Sequence, residues 1–165
     1  MVVLAKTSKG LQNLFSLVSR GYRDGFYRFP RIDYALLKEF GEDLIISTAC
    51  AGGNTANDIF QEFPGIDFND LKSSLLDDKI KYENIMRRLE NTVDRCVDAV
   101  GKENFFLELQ FNKLNAQHLL NKCLIDLSKK TGVKLITTGD SHYARPEYWK
   151  DRELYKKLGF IKFNN

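Results

Sequence analysis

Short apolar runs alternate with longer segments of helical periodicity along this chain. Runs that are rich in apolar and β-branched residues and bounded by turn residues are typical of strands. The predicted strands cover residues 2–5, 43–48, 104–110 and 133–138. Between these runs, apolar residues recur every three or four positions, which predicts amphipathic helices. The predicted helices begin near residue 8 and cover 34–40, 78–100, 115–131 and the segment from Pro146 to about Leu158.

The order of these elements predicts an α/β fold with parallel strands and right-handed helical crossovers. Four β-α units are compatible with half of a β/α barrel and equally with a small open sheet, and periodicity does not separate the two. Residues 55–77 have no clear pattern, because Pro64 and Gly65 interrupt it. Asp67 or Asn69 is expected to cap a short helix there.

Two residues whose side chains could bind a ligand or a metal follow the last predicted strand. Asp140 and His142 lie just beyond residues 133–138, a run that is flanked by Gly132 and Gly139. In α/β proteins, the carboxyl ends of strands are where ligands and metals bind. The structural alternative is that Asp140 caps a turn and His142 packs beside its neighbours, and the spacing favours neither.

The three cysteines fall in different contexts. Cys96 and Cys123 lie on apolar helical stripes, which indicates ordinary core positions. Cys50 instead follows the second predicted strand and precedes Gly52 and Gly53, so it is the candidate metal ligand of the three. A small buried thiol in a tight turn is the alternative.

Polar residues inside the third predicted strand need partners. Glu108 and Gln110 lie on one side of that strand, near its carboxyl end. A charged residue in an apolar strand is costly unless it is paired, which makes Glu108 a candidate to support a metal ligand. His118 lies off the apolar stripe of its helix and is expected to be exposed.

The segment from Gly21 to Arg31 interleaves aromatic and arginine side chains. Such a pattern can stack bases and hold phosphates. The interpretation favoured by the sequence is different: the aromatic side chains anchor a long loop to the domain, because loops of this length need apolar contacts.

Composition places the chain among ordinary soluble globular proteins. It has 165 residues, 43% hydrophobic and 28% charged, which corresponds to one domain or part of one. No apolar run of membrane-spanning length and no signal-peptide pattern occurs, so neither a membrane nor export is predicted. Three scattered cysteines indicate a reducing, cytoplasmic location. The net charge of +3 arises within residues 145–165, where a solvated helix face is favoured over a phosphate-binding tail.

Consecutive segments of the chain resemble landmarks of one family. They are Val2-Val-Leu-Ala-Lys6 with Leu11-Gln-Asn-Leu14, Gly25-Phe-Tyr-Arg-Phe-Pro-Arg-Ile-Asp33, Ser47-Thr-Ala-Cys-Ala-Gly-Gly53, Asn104-Phe-Phe-Leu-Glu-Leu-Gln110 and Thr138-Gly-Asp-Ser-His-Tyr143. Together they are similar to the PHP (polymerase and histidinol phosphatase) domain at the N-terminus of bacterial or phage DNA polymerase III alpha subunits of the DnaE type. The likeness covers nearly the whole chain and is weakest at residues 55–100.

The resemblance implies a partial PHP-type distorted (β/α)7 barrel whose carboxyl-end face holds divalent metals. Asp140 and His142 match the family's aspartate-x-histidine motif, and Cys50 matches a cysteine that some members use as a ligand. This ligand set favours zinc, with manganese or iron as further metals. The implied chemistry is metal-assisted phosphodiester hydrolysis, as in 3′–5′ exonuclease proofreading.

The chain also departs from the family pattern. The family's His-x-His pair and its other early histidines have no counterpart, since His118 and His142 are the two histidines present, and the polymerase aspartates are absent as well. Three ligands do not fill a multinuclear site. Residues 1–165 are therefore interpreted as the second half of a PHP domain, arising as a fragment, a split-gene product or a remnant, and inactive alone.

The expected partners are the missing N-terminal half or the rest of the polymerase, with DNA bound through the complex and the metal bound once the site is completed. The alternative function is a stand-alone metal-dependent phosphoesterase of histidinol-phosphatase type. Exposed strand edges of a cut barrel are further expected to favour association.

Overall fold

The computed structural model describes the backbone of residues 1–163 and the side chains of residues 1–159. The strands within these residues are β1 (Val2–Ala5), β2 (Leu44–Ser47), β3 (Phe105–Gln110) and β4 (Lys134–Thr138). The α-helices are α1 (Ser8–Arg23), α2 (Tyr34–Glu39), α3 (Asn54–Phe60), α4 (Lys79–Val100), α5 (Asn115–Thr131) and α6 (Trp149–Phe163). Short 3₁₀ turns cover Phe68–Asp70, Ser73–Asp77, Lys102–Asn104 and Pro146–Tyr148. The predicted strands and helices are thus confirmed, with ends that differ by a few residues.

Local sequence signals account for several helix ends. Asp33 begins α2 by accepting a hydrogen bond from the Leu36 amide at 2.8 Å, as the sequence predicts. Asp78 does the same for α4, where its Oδ1 accepts from the second and third amides of the helix. Gly132 ends α5 in the left-handed conformation, with φ of 68°, which a glycine adopts without steric cost.

The strands lie in the order β1-β2-β3-β4, and the sheet is mixed rather than parallel throughout. β2, β3 and β4 are mutually parallel, as expected, but β1 pairs with β2 in the antiparallel sense. The prediction of parallel strands was therefore wrong for β1. The connection from β1 to β2 contains two helices, so the chain returns to the end of the sheet that it left. The Lys6 amide, just after β1, donates to the carbonyl of Asp43, just before β2, at 2.9 Å.

One face of the sheet forms the hydrophobic core with the helices. We call it the covered face. It carries Leu44 and Ile46 of β2 and Phe105 and Leu107 of β3, each at most 1% exposed. The helices contribute buried side chains from α4 and α5, among them Leu89, Val93, Cys96, Leu120, Cys123, Leu124 and Leu127. Burying each large apolar side chain stabilises the fold by about 1.5–3 kcal/mol.

The opposite face of the sheet, which we call the open face, has a mixed composition. Residues paired across neighbouring strands point to the same side, so this face carries Val2, Leu4, Ile45, Ser47, Phe106, Glu108, Gln110, Lys134, Ile136 and Thr138. Leu4 is 56% exposed and Val2 is 42% exposed. Apolar side chains at the β1 edge of the open face therefore lie in contact with solvent.

The loop between α1 and α2 is not held by its aromatic side chains, contrary to the favoured interpretation. Phe26, Tyr27 and Phe29 of the loop are 58–74% exposed, and Tyr22, in the last turn of α1, is 59% exposed. The base of the loop is instead closed by backbone contact: a Cβ atom at Gly25 would lie 2.0 Å from the carbonyl oxygen of Arg31. A close approach of this kind replaces the apolar anchors that were expected.

None of the helices within residues 1–163 combines the length and apolar character needed to cross a membrane.

Candidate functional site at the carboxyl ends of the strands

The candidate residues lie at one edge of the sheet. Because β2, β3 and β4 are parallel, their carboxyl ends meet there. β2 leads into Cys50, and β4 leads into Asp140 and His142. β3 carries Glu108 and Gln110 near its own carboxyl end. The parallel arrangement that the sequence predicted for these three strands is confirmed.

Glu108 is the centre of a buried hydrogen-bond network at this edge. Its side chain is 5% exposed. One carboxylate oxygen accepts a hydrogen bond from the Ser47 hydroxyl of β2. The other accepts from the Thr138 hydroxyl of β4 at 2.5 Å and from the Gln110 amide at 3.4 Å. A single carboxylate therefore joins three adjacent strands.

The network keeps Glu108 ionised. Burial alone raises the pKa of this carboxyl, but the hydrogen bonds from Ser47, Thr138 and Gln110 and from the backbone N–H of Ala49 outweigh it. The net effect is a pKa below the ordinary value of a glutamate, because every donor favours the charged form. A fixed negative charge thus lies beneath the carboxyl ends of the strands.

His142 is held in one orientation by the backbone beside it. Its Nδ1 lies 2.7 Å from the carbonyl oxygen of Asp140. A carbonyl only accepts hydrogen bonds, so Nδ1 is the donor in this contact, and Nε2 is the ring atom that could bind a metal. Asp140 has φ of 46°, and both side chains are exposed.

Cys50 occupies a tight turn between β2 and α3. Ala49 has φ of 60°, and the Gly53 amide donates to the Cys50 carbonyl at 2.8 Å. A Cβ at Gly53 would lie 2.5 Å from the Thr48 carbonyl oxygen, so the turn needs glycine at this position. The thiol of Cys50 is half-buried. It lies neither in the core nor fully in solvent.

The other two cysteines are core residues, as predicted. Cys96 is 1% exposed and Cys123 is fully buried. Burial raises the pKa of Cys96 to about 11 and that of Cys123 to about 12. Both thiols therefore stay protonated at neutral pH.

Comparison with known families decides the relationship of this chain. The PHP domain family matches residues 1–112, which include β1, β2, β3 and the Cys50 turn. The chain belongs to the PHP domain family. Its mostly parallel four-stranded sheet with helices is consistent with part of a PHP barrel.

Several relatives align with this PHP chain over most of its length. The DNA polymerase III subunit alpha of Aquifex aeolicus is 37% identical over 147 residues, which cover 89% of this chain and 11% of the relative. Those of Thermus aquaticus and Helicobacter pylori strain 26695 are 31% and 30% identical and cover 93% of this chain. The chain spans about a ninth of the length of these curated relatives.

The metal-ligand prediction is not tested by the fold. Within the described part of this PHP chain, no group of three or more histidine, cysteine, aspartate or glutamate side chains is arranged to hold a metal ion. Cys50, Asp140 and His142 supply suitable donor atoms, and the His142 tautomer suits a ligand, but they do not form a site by themselves. Their role as metal ligands stays a prediction.

The hydroxyl partners of Glu108 were missed by the sequence analysis. Ser47 is the last residue of β2 and Thr138 is the last residue of β4, so each hydroxyl lies where its strand ends. A signal was present, because both lie on the same face and edge as Glu108 once the strands are parallel. His118 is exposed, as predicted.

Proposed function

We propose that this chain forms the second half of the PHP domain of a DNA polymerase III alpha subunit and serves DNA replication in that assembly. The observation that carries the proposal is the alignment of alpha subunits from distant bacteria over about 90% of this chain. The short aligned share of those subunits supports a role as one segment of a larger polymerase.

The proposed chemistry is metal-dependent 3′–5′ phosphodiester hydrolysis after completion by a partner segment. Cys50, Asp140 and His142 would hold a divalent metal, zinc with manganese or iron as further metals, together with histidines from the partner. Such a metal polarises a phosphate and supplies hydroxide. The orientation of His142 and the fixed charge of Glu108 below the same edge support this assignment. Alone, the chain is proposed to be inactive.

The open face supports the need for a partner. A β/α barrel buries the inner faces of its strands, whereas the exposed Leu4 and Val2 lie at the edge of this sheet. A segment that adds strands beside β1 or β4 would extend the sheet towards a closed barrel. Closure would enclose the open face and complete the site. In this proposal the chain first completes a barrel with its partner, and hydrolysis depends on that assembly.

The test measures metal content with and without a partner. The chain is purified alone and after co-expression with a separate PHP segment that carries His-x-His, and zinc, manganese and iron are determined by elemental analysis. We expect far less than one metal per isolated chain and tight metal binding in a stable complex. In the complex, His142→Ala and Cys50→Ser should reduce the metal content, while His118→Ala, the matched control at an exposed histidine, should not.

Two outcomes would contradict the proposal. If the isolated chain binds two or more metals and cleaves a generic phosphomonoester, the stand-alone phosphoesterase of histidinol-phosphatase type is the correct function. If no complex forms and metal content stays at background in both preparations, the completion of a PHP domain by a partner segment is wrong.

A further inference from the structure

The loop between α1 and α2 presents an unusual surface. We call Tyr22, Phe26, Tyr27, Arg28, Phe29 and Arg31 the aromatic–arginine surface. Phe29 is 74% exposed, Tyr27 64%, and the other two aromatic side chains nearly as much. Tyr22 and Phe26 stack on each other with ring centroids 6.4 Å apart. Flat apolar rings and cations thus alternate on one solvent-facing surface, which the last turn of α1 and the loop form together.

The loop has a defined shape. Its base is closed by the contact of Gly25 with the Arg31 backbone, and the Arg31 Nε donates to the Gly25 carbonyl at 3.4 Å. Its tip is a tight turn in which the Tyr27 amide donates to the Phe29 carbonyl at 3.1 Å. Arg28 occupies the tip with φ of 61°, a conformation that non-glycine residues rarely adopt. Binding to this surface would therefore require little ordering of the loop.

The charges at the tip are not neutralised within the described residues. Arg20 and Arg23 on α1 both pair with Asp24, at 2.5 and 2.7 Å. Arg28 and Arg31 have no carboxylate within ion-pair distance in that part of the chain. The Arg31 guanidinium lies 5.1 Å from the centroid of the Tyr27 ring, which orients it over an aromatic face. The surface is complementary to a polyanion that also carries flat rings.

The surface adjoins the candidate site at the strand ends. A cavity of about 360 Å³ is lined by Met1, Arg31 and Tyr34 and by Asn54, the first residue of α3. Asn54 directly follows the turn that contains Cys50. A linear ligand on the loop therefore has a path towards the edge of the sheet where the proposed hydrolysis takes place.

We propose that the aromatic–arginine surface binds single-stranded DNA, with bases stacked on Phe26, Tyr27 and Phe29 and phosphates held by Arg28 and Arg31. Aromatic rings interleaved with cations are how proteins bind single strands without reading sequence. An apolar protein partner would bury the guanidinium charges of Arg28 and Arg31 without an anion to pair with them, which is costly. The stacking and ionic argument stands by itself, and the choice of DNA over RNA rests on the proposed function.

The experiment measures the fluorescence anisotropy of a labelled oligothymidylate of about 12 nucleotides, within the usual site sizes of ~4–16 nucleotides. The full 165-residue chain is titrated in EDTA, so that binding is scored without metal or hydrolysis. Circular dichroism verifies that each variant is folded. A duplex and an oligouridylate of the same length are the comparison ligands.

Stacking and ionic contributions are separated by two variants and two matched controls. Phe29→Ala should weaken binding at least about fivefold at constant salt dependence, as loss of one stacked base does. Arg28→Ala should weaken binding and also lower the slope of log affinity against log salt by about 0.7, the value for one phosphate contact on a single strand. Ile80→Ala on α4, an apolar side chain as exposed as Phe29 at 74%, and the exposed Arg87→Ala on the same helix should leave both quantities unchanged.

Several results would overturn the proposal. These are the absence of binding at about 50 mM salt, where ionic contacts are stronger than at physiological salt, equal weakening by Phe29→Ala and Ile80→Ala, and preference for the duplex or for RNA. The outcome is separable from that of the proposed function. A chain that binds oligothymidylate but never acquires metal with a partner supports this inference and contradicts the hydrolytic role. A chain that acquires metal with a partner but does not bind oligothymidylate supports the hydrolytic role and contradicts this inference.

Discussion

The covered and open faces of the sheet are built in different ways. On the covered face, Leu44, Ile46, Phe105 and Leu107 are almost fully buried under the helices. On the open face, apolar side chains at β1 meet solvent, and the buried centre is a charged glutamate held by hydroxyl groups. The covered face therefore supplies the stability of this chain. The open face supplies its candidate chemistry and its unsatisfied apolar surface.

The polar centre of the open face illustrates what a buried charge requires. Glu108 is ionised because four donors favour its charged form: the Ser47 and Thr138 hydroxyls, the Gln110 amide and, in the turn after β2, the backbone N–H of Ala49. Its backbone amide also donates to the Thr48 hydroxyl at 2.9 Å, so Thr48, directly after β2, adds a further link to β3. The carboxyl ends of the strands are thus fixed relative to each other before any ligand binds.

The largest expected effect is on the covered face. Leu107→Ala should lower the free energy of unfolding by about 2–5 kcal/mol, because it opens a cavity in a packed core. Leu4→Ala on the open face should cost less than about 1 kcal/mol, because Leu4 is 56% exposed. Urea denaturation followed by circular dichroism measures both. Equal losses would mean that the open face is packed in solution and that the comparison is wrong.

A smaller effect is expected from the polar centre. Glu108→Gln should lower the free energy of unfolding by about 1–3 kcal/mol at pH 7, because hydroxyl groups lose a charged acceptor. Since the folded-state pKa of Glu108 is depressed, its stabilisation is complete above the ordinary glutamate pKa of about 4.3 and is lost as pH falls through the lower folded value. Urea midpoints measured at a series of pH values test this.

The control for that series is Glu83→Gln on the exposed side of α4, which should retain the acid dependence of the unchanged protein. If Glu108→Gln shows the same loss of stability on acidification as the unchanged protein, Glu108 is not the ionised centre of the network.

A third prediction concerns self-association through the open face. Leu4→Ser should reduce concentration-dependent association while changing the free energy of unfolding by less than about 1 kcal/mol, as for Leu4→Ala. Ile80→Ser, at a 74% exposed site on the helical side, is the matched control and should have no effect on association. Sedimentation velocity over a range of concentrations provides the measurement. A chain that stays monomeric at all concentrations would show that the open face does not drive association.

The smallest effect on stability is expected at Cys50. In the native protein one thiol should react rapidly with a disulfide reagent, and Cys50→Ser should remove that reaction without affecting folding. Cys96 and Cys123 belong to the helices of the covered face and should react only after unfolding, because both are buried and their pKa values are raised. Two or more reactive thiols in the folded chain would mean that the helical layer opens readily.

The sequence by itself predicted the elements and the candidate residues, because periodicity and turn residues act over short distances. All four strands, the caps at Asp33 and Gly132 and the core positions of Cys96 and Cys123 belong to this class. The PHP resemblance was available for the same reason, since it rests on ordered local motifs and the family match over residues 1–112 confirms it.

Only the tertiary structure decided the direction of β1, the partners of Glu108 and the exposure of the loop aromatics. The two helices between β1 and β2 bring the chain back to the end of the sheet where β1 ends, so β2 runs antiparallel to β1. The alternation of strands and helices along the sequence does not reveal this. Ser47 lies 61 residues from Glu108 and Thr138 lies 30 residues from it, so their hydrogen bonds depend on strand order. Contacts between distant residues determine these features. The sequence offers only hydroxyl residues at two strand ends, and the order and direction of the strands decide that they meet Glu108.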